Sequence, residues 1–223
     1  MSLVEDRYDD YMHGLLTGDD RYCAHLLHEL LKAGVPVQSL LIDLMHRSMY
    51  EIGERWASND ISIATEHMAS ATTRKLLGRV FPALHHIPAD HCSAIIACTP
   101  HNIHQIGPHI VAEIFTLHGW KATSLAHNVR PDELINIIRE RKPDVVGISV
   151  SMIFDRADIE GLVTKVSDTF PDLPIVVGGH AFNIPEEGTL LLETLKAIAP
   201  KLRYLDSIAE LEAYIDSFQT NCQ

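Results

Sequence analysis

The chain has 223 residues, 46% of them hydrophobic and 22% charged, a globular balance that excludes a disordered protein and leaves room for one large domain or two small ones. Its 18 Lys and Arg against 30 Asp and Glu leave a net charge of -12, which argues against independent binding to nucleic acid or an anionic membrane, since both need a positive surface. Histidine is the one unusual count, at 14.

The first third carries helical periodicity. A helix is expected around Tyr8–Leu16, and Cys23, Leu26, Leu27, Leu30 and Leu31 form the buried face of a second. Gly34 and Pro36 end it. Leu40, Leu41, Leu44, Met45, Ser48 and Ile52 make the next stripe. Asn59-Asp60 supplies a capping signal for a helix through Ile63, Ala64, His67, Met68 and Ala71. Four such helices close a small bundle.

Pro82 to Asp90 interrupts this pattern and reads as a linker, giving expected domains at residues 1–85 and 91–223. Beyond it, strands alternate with helices. Ser93–Cys98, Lys121–Leu125, Val145–Ser149, Ile175–Val177 and Leu202–Tyr204 are the expected strands. Helices are expected through Ile110–His118, Pro131–Arg141, Arg156–Phe170 and Thr189–Ile198, and Ser207 with Glu210 opens a last one in capping-box spacing. This alternation predicts an α/β fold, with the helical bundle followed by a doubly wound parallel five-stranded sheet covered on both faces.

No basic stretch leads into an apolar one at the N-terminus, and no apolar run approaches the roughly 18–20 residues that cross a bilayer, so neither a signal peptide nor a membrane span is expected. Cys23, Cys92, Cys98 and Cys222 form no CxxC pair, and reduced cytoplasmic thiols are the expectation.

Ligands of open parallel sheets sit beyond the carboxyl ends of the strands. Three segments stand there: Asn102-x-His104-x-x-Gly107, then Ser149-x-Ser151 after 41 residues, then Gly178-Gly179 after a further 26. His-x-x-Gly alone carries no weight, because 14 histidines and 12 glycines give about 0.75 chance matches. The full spacing lowers that expectation to on the order of 10⁻³ or less.

This arrangement resembles the cobalamin-binding domain of the methionine synthase and mutase superfamily, whose pattern is Asp-x-His-x-x-Gly, Ser-x-Leu and Gly-Gly at these spacings. The resemblance implies His104 as the lower axial ligand of cobalt, with Ser149, Ser151, Gly178 and Gly179 along the dimethylbenzimidazole tail and Gly107 beside them. Cobalamin brings four equatorial nitrogens, so one protein ligand suffices. Two positions depart from the pattern. Asn102 stands where the family has an acid that charges and orients the ligating imidazole, so a softer cobalt–histidine bond is expected unless Asp155 or another acid stands in. Ser151 replaces the family's Leu.

In the bundle, Trp56, nine residues, then Glu66-His67 is similar to the pattern of B12-dependent photoreceptors, the light-sensing repressors of carotenoid genes. That resemblance implies a bundle capping the upper corrin face, with Trp56, Ile63, Glu66 and His67 around a 5′-deoxyadenosyl group. Those repressors carry a histidine after the tryptophan that binds cobalt after photolysis; here it is Ala57.

The resemblances together imply a non-enzymatic, cytoplasmic sensor holding adenosylcobalamin base-off; methylcobalamin and hydroxocobalamin are the other forms the lower-face pattern would accept. Only about 20 residues precede the first bundle stripe, against the roughly 60–70 of a helix-turn-helix domain. The expected partner is therefore a protein such as a transcription regulator, without direct nucleic-acid or membrane contact, and with a light-dependent oligomer as a further expectation. The alternative is a corrinoid shuttle protein of a methyltransferase system. His13, His25, His28, His46, His85, His86 and His91 are expected at the surface.

Overall fold

Apolar residues returning every three or four positions build the N-terminal part of the computed structural model, which describes residues 3–80, 92–100, 104–125, 129–153 and 156–219. The chain divides into two compact units, Met1–His86 and Ile87–Gln223.

In the first unit, α1 (Leu3–Thr17) buries Val4, Tyr8, Tyr11, Met12 and Leu15. The Asp19 side chain accepts the Tyr22 N–H at 2.9 Å and starts α2 (Asp20–Lys32), which buries Cys23, Leu26, Leu27 and Leu30. A short α3 (Val37–Ser39) runs into a π-helical segment, Leu40–His46, and then into α4 (Arg47–Ala57). The whole stripe from Leu40 to Ile52 is solvent-free as expected, but its backbone is not a regular α-helix. The wider π turn lets the adjacent pairs Leu40-Leu41 and Leu44-Met45 all reach the core.

Capping between α4 and α5 (Ile63–Val80) differs from expectation. Asn59 sits at φ 63, and its N–H donates to the Trp56 carbonyl at 3.0 Å, so it terminates α4. Ser62 caps α5, its hydroxyl accepting the Thr65 N–H at 3.1 Å.

His46 also departs from expectation. It is half-buried, its ring 5.4 Å from that of Tyr50, and burial holds its pKa below the usual range. The unfolded histidine titrates near pH 6.5, so below about that pH the unfolded chain takes up a proton that the folded chain resists. Stability is therefore present above that pH and falls on acidification until the folded pKa is reached, by up to about 1.4 kcal/mol per pH unit. Denaturant midpoints at pH 7.5 and 5.5 should differ less for His46→Gln than for the parent chain.

The second unit runs β1 (Ser93–Cys98), α6 (Ile106–Leu117), β2 (Lys121–Leu125), α7 (Pro131–Arg141), β3 (Val145–Ser149), α8 (Arg156–Thr169), β4 (Ile175–Gly178), α9 (Glu187–Ile198), β5 (Arg203–Tyr204) and α10 (Ile208–Gln219), with a 3-10 turn at His180–Asn183. All five strands are parallel, in the order β2-β1-β3-β4-β5. That is the flavodoxin-like order, and its direction reverses between β1 and β3, where such sheets open a crevice at their carboxyl ends. One face of the sheet packs Ile95, Val146, Ile148 and Val177 against α7, α8 and α9 through Leu134, Val163 and Leu191. At the C-terminal helix, Ser207 accepts the Glu210 N–H as its sequence signals, while the Glu210 carboxylate accepts the N–H of Asp206, one residue before the cap.

Cys23 and Cys98 are free and buried. Among the described residues no helix is long and apolar enough to cross a membrane.

Candidate functional site

Within the second unit, the sheet register assembles a first group of candidate residues. Cys98 of β1 pairs with Ser149 of β3, and Ser149 pairs with Gly178 of β4, so three strand ends share a row at the carboxyl edge. Half-buried His104 lies immediately ahead of α6, and Gly107 is the second residue of that helix. A Cβ on Gly107 would stand 3.8 Å from the Ser149 hydroxyl, which brings the start of α6 against the end of β3. Ser151, two residues beyond β3's end, is half-buried. Asn102 and Asp155 lie outside the described residues, as do His85, His86 and His91.

Gly178-Gly179 has a reason that the sequence reading lacked. A Cβ on Gly178 would meet the Leu205 carbonyl oxygen at 2.8 Å, and one on Gly179, at φ 119, would meet that of Val150 at 2.4 Å. The chain's own backbone thus closes on both glycines, locking the end of β4 beside β3.

A second group of candidate residues lies in the bundle. Trp56 is half-buried in the last turn of α4, and Ile63 opens α5 at 55% exposure. Glu66 is only 9% exposed. Its carboxylate lies 2.5 Å from Nδ1 of the exposed His67 and accepts the Ser70 hydroxyl at 2.6 Å. Helix α5 returns alongside α4 after a five-residue turn, and the Thr73 hydroxyl donates to the Met49 sulfur at 3.2 Å. Seven residues along α4 from Met49 is Trp56, and seven back along α5 from Thr73 is Glu66, so indole and carboxylate stand at one level. Ser70 was not singled out from sequence, although its i,i+4 spacing from Glu66 carries the signal.

The second unit offers a half-buried imidazole ahead of α6 and a strand-end row of serine and glycine, and the first unit offers an anchored acceptor level with an aromatic face. Among the described residues no group of three or more His, Cys, Asp and Glu could hold a bare metal ion. A single histidine suits a metal that arrives with its other ligands.

Comparison with known proteins decides between ligands. One family profile, described as a B12 binding domain, matches residues 92–199, and a second with the same description matches residues 7–80. The chain belongs to the B12-binding family. It is 28% identical over 165 residues to the HTH-type transcriptional repressor CarH of Myxococcus xanthus, which spans 73% of this chain and 54% of the relative. It is 24% identical over 137 residues to a trimethylamine corrinoid protein of Methanosarcina barkeri, spanning 60% of this chain and 63% of that one. The chain thus spans about half the length of the first curated relatives it matches. Among solved structures, the monomethylamine corrinoid protein of Methanosarcina barkeri has the same fold, with a TM-score of 0.79 at 15% identity over 96% of this chain and 99% of that one.

Proposed function

We propose that this B12-binding protein is a light-responsive regulator carrying adenosylcobalamin base-off, with His104 as the lower cobalt ligand. The carrying observation is that Trp56 stands level with the Glu66–His67–Ser70 cluster. An indole face and a fixed carboxylate suit a nucleoside, whose base stacks and whose ribose hydroxyls donate, and they exceed what a methyl group needs. Trp56, Ile63, Glu66 and His67 would serve that group, while Gly107, Ser149, Ser151, Gly178 and Gly179 would line the nucleotide tail and Asn102 would orient His104.

Bound adenosylcobalamin supplies a photolabile cobalt–carbon bond. The chain's part is conformational. While the nucleoside is in place, Trp56 and Glu66 favour one bundle arrangement, and losing those contacts shifts the population toward another with a different surface. The partner that reads this change is a protein, a transcription regulator being the kind we expect, and the change could extend to a light-dependent oligomer.

The relationship to the trimethylamine corrinoid protein supports a second reading, a corrinoid carrier serving a methyltransferase. Mixing apo-protein with adenosylcobalamin in the dark, recording the visible spectrum and then applying green light separates the two. The sensor reading expects a histidine-ligated spectrum in the dark and a protein-specific change in ligation or assembly after light. An unchanged spectrum on mixing refutes the adenosylcobalamin assignment. A methylated cobalt that cycles with a methyltransferase, without a light response, establishes the carrier instead.

A further inference from the structure

Beside the core stripe of α4 runs a second one. His46, Met49, Tyr50, Gly53 and Trp56 recur at helical spacing, and all five are half-buried, neither enclosed in the core nor turned fully to solvent. Gly53 is the gap in this stripe. Apart from its chain neighbours and the adjacent backbone of its own helix, no atom of the described residues lies within 4 Å of where its Cβ would stand, so nothing packed against α4 calls for glycine. Glycine inside a helix weakens it relative to alanine. Gly78 in α5 and Gly161 in α8 are equally unopposed, but both are exposed, whereas Gly53 is half-buried between Met49 one turn earlier and Trp56 one turn later.

The Met49–Thr73 hydrogen bond also sets the level of this gap. Four residues along each helix, Gly53 faces the height of Ala69, which is small and buried, and of Ser70, which holds the Glu66 carboxylate. The open position therefore lies about one helical turn from both the indole and the anchored acceptor.

We infer that Gly53 determines which upper axial group the bundle accepts: its missing side chain leaves the space into which the flat base of a nucleoside settles, between the Met49 thioether and the Trp56 indole. This rests on the adenosylcobalamin reading. A size filter made by an absent side chain predicts opposite signs for stability and for binding, which a purely structural glycine does not.

The test uses the full chain, with Gly53→Ala and Gly53→Leu, thermal melts of the apo-proteins, and dark titrations with adenosylcobalamin and with hydroxocobalamin. Gly53→Ala is expected to raise the apo Tm by about 2–4 °C through helix propensity. Gly53→Leu is expected to weaken adenosylcobalamin binding by about tenfold or more through overpacking, and to leave binding of hydroxocobalamin, which has no nucleoside above the cobalt, as in the parent chain. A lower apo Tm for Gly53→Ala overturns the inference, because the glycine then serves the bundle's packing. So does a Gly53→Leu variant that treats the two cobalamins alike. A parent chain that binds neither cobalamin instead overturns the cobalamin reading, and this inference with it.

Discussion

His104→Ala is expected to abolish the histidine-ligated cobalamin spectrum and to weaken cobalamin binding by at least about 10- to 100-fold, the loss that follows removal of even an outer partner of a metal ligand. The expectation comes from the placement of His104 directly ahead of α6, whose second residue, Gly107, adjoins Ser149 at the carboxyl edge of the sheet. No second imidazole is assigned to that edge by the spacing pattern, so truncation would leave the cobalt of a bound cobalamin without its proposed protein ligand. The apo fold should survive, because His104 is half-buried and truncating one such polar side chain costs about 1 kcal/mol. Visible spectra of the loaded variant, paired with circular dichroism of the apo-protein, check both halves. A variant that keeps the parent spectrum would place another histidine below the cobalt.

Much of the fold was legible because its signals are local. The change from helical stripes to short apolar runs separates bundle from sheet, and Ser93–Cys98, Lys121–Leu125 and Val145–Ser149 are strands in the structure at the expected bounds. Strand ends also told where to look for a site, since a parallel sheet gathers the loops at one edge; the shared row of Cys98, Ser149 and Gly178 follows from that topology. What escaped the sequence depends on contacts between distant segments. Asn59-Asp60 and Ser62 are all competent caps, and only the path of the turn decides that Asn59 closes α4 while Ser62 opens α5. The stripe from Leu40 to Met45 has ordinary helical spacing, yet satisfying the core widens its backbone into a π segment. His46 looks like one more polar residue among many until the bundle partly encloses it. The level match of Trp56 and Glu66 needs the Met49–Thr73 contact, which no spacing rule contains.

Gly179→Ala is expected to destabilise the α/β unit by about 2–6 kcal/mol, the sum of a non-glycine residue held in an unfavourable backbone region and an overpacked contact. The added Cβ would stand 2.4 Å from the Val150 carbonyl oxygen and 3.0 Å from its carbon and nitrogen, and the neighbour is backbone, so no side-chain rotation relieves it. Shifting Val150 would break the hydrogen bond from its N–H to the Gly178 carbonyl, at 2.9 Å, and the one its carbonyl accepts from Ala181, at 3.2 Å. Shifting residue 179 instead would displace the turn that buries Ala181 and Phe182 and would draw Gly178 away from Ser149. Either escape disturbs the row proposed to line the cobalamin tail, so ligand affinity should fall together with stability. Denaturant unfolding followed separately in the two units keeps the effect on the sheet apart from the bundle, which contains none of these contacts. A Gly179→Ala chain that unfolds like the parent but has lost cobalamin would mean that the glycine yields space to the ligand and not to Val150, reversing the reason argued for it.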